Sequence, residues 1–257
     1  RLPARSARAT RPPLLFVHGG YSNARCWAVN FIPYFQGHGR DCYALDLSGH
    51  GASSGREQLN TFSLGDYADD LAWAVDQLPQ APILITHSMG CLVAQRYLER
   101  GTARAVAFLA PVPATGTLGT ASRLAISHPD FFSELPRAVG GKATRHTLEV
   151  MADVYFSPHM NRAEVPRYLP LLEPESERAV AEMITVPVRF PGRRPKIPAL
   201  VMGGSDDAVF PPSLLYFTSA AWLARTEIIT GAGHMLMLDP QWEDAARRLY
   251  AWLSRLD

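Results

Sequence analysis

The sequence predicts an α/β protein: a doubly wound, mostly parallel sheet with a mainly helical segment inserted between two of its strands. Three observations carry that expectation. Short apolar runs recur along the chain without the polar alternation of a half-exposed sheet, as buried parallel strands require. Segments with apolar residues at helical spacing lie between those runs. From Val112 to Lys196 the rhythm stops, and prolines, histidines and aromatic pairs take over.

Strands are expected over 14–17, 42–45, 83–85, 105–109, 199–202 and 227–229. Between the second and third, Leu64, Ala68, Leu71, Val75 and Leu78 form one helical stripe, with Asp66, Asp69, Asp70 and Asp76 on the other face. A helix follows 83–85, carrying Cys91 to Leu98. Within the interruption, 175–184 is also expected to be helical. At the far end Asp239 is placed to cap a closing helix with Pro240 at its first position, and Trp242, Ala245, Leu249, Trp252 and Leu256 share a stripe. Residues 1–111 and 197–257 thus form the core, and 112–196 an inserted helical cap. In such sheets ligands bind beyond the carboxyl ends of the strands.

Composition narrows the partner. The 257 residues carry 25 basic and 24 acidic side chains, a net charge of +1, so no global field favours nucleic acid or an anionic membrane surface. A small molecule is the expected partner. No apolar run approaches the roughly 20 residues of a membrane-spanning helix, so a soluble chain without integral membrane association is expected. Cys26, Cys42 and Cys91 are three widely spaced thiols without a CxxC pair, which suits neither a disulfide framework nor a zinc site and favours a reducing, cytoplasmic setting. The chain opens on Arg1, which leaves room for a removed upstream segment, an export signal among the candidates. Arg1, Arg5, Arg8 and Arg11 read as a solvated tail rather than a binding arm. His128, His146 and His159 lack metal-ligand spacing, and no phosphate-binding or dinucleotide fingerprint is present, so neither metal nor cofactor is expected.

The stretch Thr86-His87-Ser88-Met89-Gly90 sits where a buried strand meets a helix. A sharp turn there lifts the Ser88 hydroxyl above the sheet, and small residues are needed two positions either side. Gly90 supplies one; Thr86 stands where glycine is usual. Serine is a poor nucleophile without a base, and His234, in a glycine-rich loop after the last strand, is the candidate. A carboxylate must orient that imidazole. Asp207, in the loop after 199–202, is preferred, with its neighbour Asp206 as the rival. Negative charge on a carbonyl oxygen would be met by the backbone N–H groups of Met89 and Gly20, the latter in the loop His18-Gly19-Gly20-Tyr21.

Together these residues resemble the α/β-hydrolase superfamily over nearly the whole chain. The order Ser88, Asp207, His234 matches the family's order. Asp46-Leu47-Ser48-Gly49-His50-Gly51-Ala52-Ser53 is similar to its Asp-x-x-Gly-His-Gly-x-Ser segment, where the resemblance implies that Asp46, His50 and Ser53 fix loops. With His87-Ser88-Met89-Gly90, that segment resembles monoacylglycerol lipases and lysophospholipase-like hydrolases, except that Cys91 replaces a frequent glycine. A serine at the elbow sets aside the dehalogenases and epoxide hydrolases of the fold, which use a carboxylate there.

The expected function is hydrolysis of a carboxylic ester with an apolar acyl chain through an acyl-enzyme, without a cofactor. Thioesterase, carbon–carbon bond hydrolase and acyltransferase chemistry on the same triad stay open, as does a ligand-binding protein with a little-used triad. Tyr21, Phe131, Phe132, Tyr155 and Phe156 are candidates to contact substrate. Met151, Met160, Tyr168, Leu169, Leu171 and Leu172 could join them, although much of this set must form the cap's own core. Arg189, Arg193, Arg194 and Lys196 form either an anionic head-group site or, by preference, a solvated return loop.

Overall fold

A computed structural model of the chain describes residues 11–113, 115–184 and 195–257. Six parallel strands form one sheet: β1 (Leu14–Val17), β2 (Cys42–Leu45), β3 (Ile83–His87), β4 (Ala105–Leu109), β5 (Ala199–Gly204) and β6 (Arg225–Ile229). Their order is β2-β1-β3-β4-β5-β6, so the direction of winding reverses at β1. β3 and β5 each run two residues past the apolar stretch that predicts them, because ladder hydrogen bonds continue into Thr86-His87 and Gly203-Gly204.

The continuous apolarity of the four inner strands, β1, β3, β4 and β5, has a direct cause: successive side chains leave on opposite faces, and both faces are buried, whereas the edge strands β2 and β6 are only partly covered and β6 opens on Arg225-Thr226-Glu227. Leu14, Phe16, Ile83, Ile85, Ala107 and Met202 pack on one side against α1 (Arg25–Ala28), α2 (Phe31–Gly37) and α10 (Trp242–Leu253). Leu15, Val17, Leu84, Val106, Phe108 and Val201 pack on the other against α3 (Leu64–Asp76), α4 (Met89–Leu98) and α9 (Pro212–Trp222). The predicted stripe of α3 buries Leu64, Ala68 and Leu71, and Ser63 starts the helix through a capping box with Asp66.

Between β4 and β5 the chain forms α5 (Leu118–Ser127), α6 (Phe131–Val139), α7 (Arg145–Tyr155) and α8 (Glu177–Ile184). Leu124, Phe131, Leu135, Met151 and Val154 make a small core of their own there. Phe156, Met160, Tyr168 and Leu171 instead join the core on the first face of the sheet. Arg1, Arg5, Arg8, Arg189, Arg193 and Arg194 lie outside the described residues; Lys196 is exposed, and Arg11 pairs with Asp257 at 3.4 Å.

One expected cap is corrected. Asp239 does not cap the closing helix, which begins at Trp242 after Gln241. Its carboxylate is turned into the interior, fully buried, because four donors await it there: the N–H of Ser157 (2.8 Å), Gly233 (3.1 Å) and Gln241 (3.2 Å), and the Ser157 hydroxyl (3.2 Å). Four hydrogen bonds to a charged acceptor outweigh one helix cap.

Candidate active site

Ser88 stands between β3 and α4 with φ +50° and ψ −117°, a conformation that costs a non-glycine residue about 1–3 kcal/mol. The turn brings the backbone of the β1 loop so close that a Cβ on Gly90 would lie 2.4 Å from the carbonyl oxygen of His18. Glycine is therefore required at that position. Thr86, at the other small-residue position, fits because it is buried and its hydroxyl donates to the Ala107 carbonyl at 3.0 Å. The same hydroxyl meets the Cys91 thiol at 3.3 Å. The two departures from the family's glycines thus touch each other, each filling space beside the other.

The three side chains named from the sequence converge at the carboxyl ends of β3, β5 and β6. His234 Nε2 lies 3.2 Å from Ser88 Oγ, and His234 Nδ1 lies 2.9 Å from Asp207 Oδ2. The other Asp207 oxygen accepts from the N–H groups of Val209 (2.8 Å) and Phe210 (2.7 Å), which fixes the carboxylate. Asp206 is exposed and accepts from the Ser205 hydroxyl at 2.7 Å, away from the imidazole. Asp207 and His234 are buried, whereas Ser88 is partly exposed, so the hydroxyl is the accessible end of the row.

The His234 side chain is held from several sides. Its ring packs against Phe210 (5.3 Å between centroids), Tyr155 (6.2 Å) and His87 (4.8 Å). His87 Nε2 donates to the His234 carbonyl at 3.0 Å, while burial keeps the His87 imidazole well below its ordinary pKa and hence neutral. The N–H of Gly233, one residue before His234, is tied to Asp239. The sequence marks His87 for no contact with the His234 loop and Asp239 only as a helix cap, since nothing local to either residue signals that contact.

Gly20 and Met89 also meet across the turn, with Met89 Sδ within 3.6 Å of where a Gly20 Cβ would stand. Among the described residues no acceptor engages the backbone N–H of either one. The N–H of Leu47 donates to His18 Nε2 (3.1 Å), so His18 carries its proton on Nδ1 and donates it to the Gly19 carbonyl (2.8 Å). Burial, reinforced by His50, lowers the His18 pKa to about 4, which keeps this neutral tautomer in place.

The proposed substrate contacts take different positions. Tyr155 and Phe156 line a small apolar pocket with Met151, Leu169 and Met235, next to the His234 ring. Ser22, at its wall, carries a buried hydroxyl with no partner among the described residues. Tyr21 packs on the helical insertion's own core, to which Phe131 belongs. Phe132 is 47% exposed on the outer side of α6. Cys26, Cys42 and Cys91 are free and buried, and burial pushes each thiol up to about 12. Among the described residues no group of three or more His, Cys, Asp or Glu side chains is gathered as a metal site, and no helix is long and apolar enough to cross a membrane.

A model of the alpha/beta hydrolase fold matches residues 12–241, and the chain belongs to that family. An esterase of Mycobacterium tuberculosis is 35% identical over 91 residues, a stretch spanning 33% of this chain and only 27% of that protein. Among solved structures, a monoacylglycerol lipase of Paleococcus ferrophilus matches with TM-score 0.70 and 21% identity over 96% of this chain and 97% of its own. An esterase from Exiguobacterium antarcticum matches with TM-score 0.76 and 16% identity over 95% and 92%. A bromoperoxidase from Bacillus anthracis, at TM-score 0.75 and 19% identity over 96% and 92%, shares the same fold.

Proposed function

We propose that the chain is a serine hydrolase of carboxylic esters that works through an acyl-enzyme. The observation that carries this reading is the hydrogen-bonded row Ser88–His234–Asp207, with spacings of 3.2 and 2.9 Å, ending in an accessible hydroxyl. His234 Nε2 takes the Ser88 proton as Oγ adds to the ester carbonyl, and Asp207 stabilises the imidazolium. The N–H groups of Met89 and Gly20, free of other acceptors among the described residues, receive the oxyanion. The tetrahedral adduct collapses, His234 delivers its proton to the departing alcohol, and Ser88 is left acylated. Water then gives a proton to His234 and adds to the acyl carbon; return of that proton to Ser88 releases the acid. The esterase and lipase relatives support this chemistry.

The acyl group is apolar and, in the pocket as it stands, compact. The space beside Tyr155 and Phe156 is about 20 Å³, room for one water-sized group before side chains must move. A series of p-nitrophenyl esters from acetate to decanoate, with fluorophosphonate labelling of Ser88, tests the reading. Wild type is expected to label at Ser88 and to prefer the short esters, and Ser88→Ala to lose both labelling and turnover while keeping its circular dichroism. Undiminished hydrolysis by Ser88→Ala would overturn the assignment.

A further inference from the structure

The Gly20 loop is gripped by two residues of the inserted segment, Glu173 and Glu175. Tyr21, directly after Gly20, has φ +59°, a left-handed conformation that a tyrosine keeps only when its surroundings hold it. Both of its backbone groups are engaged. Its N–H donates to Glu175 Oε2 at 3.3 Å, and its carbonyl accepts from the Glu173 N–H at 3.0 Å. On the other side of Gly20, the Gly19 carbonyl is fixed by His18 Nδ1–H. In a trans peptide the Gly20 N–H points opposite to that carbonyl, so clamping residues 19 and 21 sets the direction of the one free N–H between them.

Glu175 is itself immobilised. It is 6% exposed, and its Oε1 accepts from the Tyr67 hydroxyl (2.8 Å) and the Ser176 N–H (2.7 Å). Its Oε2 faces His50 Nε2 at 3.3 Å and would sit 3.5 Å from a Cβ on Gly20. Glu173 is anchored in parallel, accepting from Asn23 Nδ2 (2.9 Å), the Gly51 N–H (2.9 Å) and Arg56 (2.7 Å). A buried carboxylate is costly unless its lone pairs are used, and those of Glu175 are taken up by the Tyr21 N–H of the loop, the Tyr67 hydroxyl, the Ser176 N–H and His50.

We propose that Glu175 is a positioning residue for the oxyanion-binding loop: by accepting from the Tyr21 N–H it holds the Gly20 N–H aimed at the carbonyl oxygen bound at Ser88. The proposal rests on the serine-hydrolase reading above. It makes the inserted segment a structural part of the reaction centre as well as its cover. Losing an oxyanion donor outright typically costs about a hundredfold or more in kcat, and a misaimed donor a fraction of that.

Two variants separate reach from charge. Glu175→Gln keeps an oxygen at the Tyr21 N–H but loses the charge, whereas Glu175→Asp keeps the charge but withdraws it by one methylene. With a p-nitrophenyl ester as probe, Glu175→Gln is expected to retain kcat within about threefold of wild type. Glu175→Asp is expected to lose about tenfold or more in kcat with KM within about threefold, because only the transition state carries the oxyanion. Equal losses in Gln and Asp, the reverse order, or no loss in either overturns the proposal. Failure of the wild type to hydrolyse esters and to label at Ser88 overturns the underlying reading instead, so the two failures are distinguishable.

Discussion

At the scale of single residues, the carboxylate of Asp239 ties the loop that carries His234 to the end of the segment that carries Tyr155 and Phe156. Its Oδ2 holds the Gly233 N–H, one residue before the base, and the Ser157 N–H, at the end of the segment that carries Tyr155 and Phe156. Asp239→Asn removes the charge and puts an NH₂ group against N–H donors whichever way the amide turns. The expected cost is about 2–3 kcal/mol, or a Tm lower by roughly 5–10 °C in a chain of this size. Because the loop that loosens carries His234, ester turnover should fall as well, measured well below the new Tm where the variant is folded. Unchanged Tm and kcat in the Asp239→Asn variant would show that the four hydrogen bonds contribute nothing. The sequence could not display this residue's role: next to Pro240 it has the pattern of a helix cap, and only burial against Ser157, 82 positions away, selects the other use. Ser88, Asp207 and His234 were legible because each sits in a loop whose own residues mark it.

At the scale of elements, the inner strands β1, β3, β4 and β5 could be read from local sequence because burial on both faces leaves a continuous apolar run, whereas of the edge strand β6 only the last three residues carried a signal. The helix α9 could not. Tyr216 and Phe217 are 55% and 52% exposed away from its buried face, so apolar residues surround it and the 3.6-residue contrast vanishes. The joint between the insertion and the loop after β2 was equally hidden, since Glu175 and His50 are far apart in sequence and neither lies in a motif naming the other. That joint makes a pH prediction. Burial alone would lower the His50 pKa, but the Glu175 carboxylate outweighs it and raises it above the ordinary 6.5. Burial likewise opposes ionisation of Glu175, yet His50, the Ser176 N–H and the Tyr67 hydroxyl hold it below the ordinary 4.5. The His50 contribution is complete below about 6.5 and is lost as pH rises through its raised value; the Glu175 contribution is complete above about 4.5 and is lost as pH falls through its lowered one. The stability difference between wild type and Glu175→Gln should therefore be largest between about pH 4.5 and 6.5 and shrink as pH rises through the raised His50 value or falls through the lowered Glu175 value, measured by urea denaturation over a pH series. A difference that does not change with pH would mean the two side chains are not an ion pair in solution.

At the scale of the whole molecule, the question is whether the helical insertion between β4 and β5 is a separate unit. Its small core of Leu124, Phe131, Leu135, Met151 and Val154 is its own, but Phe156, Met160, Tyr168 and Leu171 share one apolar cluster with Phe16, Met202 and Leu249 of the sheet layer. Glu173 and Glu175 bind it to the loops after β1 and β2 as well. Pulling the insertion away would expose that cluster and part the buried Glu175 from His50 and the Tyr67 hydroxyl, so the two parts are expected to unfold together. Heating is expected to give one calorimetric transition whose van't Hoff and calorimetric enthalpies agree, despite a chain length at which separable domains are common. Glu175→Asp, which slackens the joint, should lower that single transition without splitting it. Two resolved transitions in the wild type would show that the insertion folds by itself, and the loop after β1 would then have to hold its left-handed turn at Tyr21 without help from it.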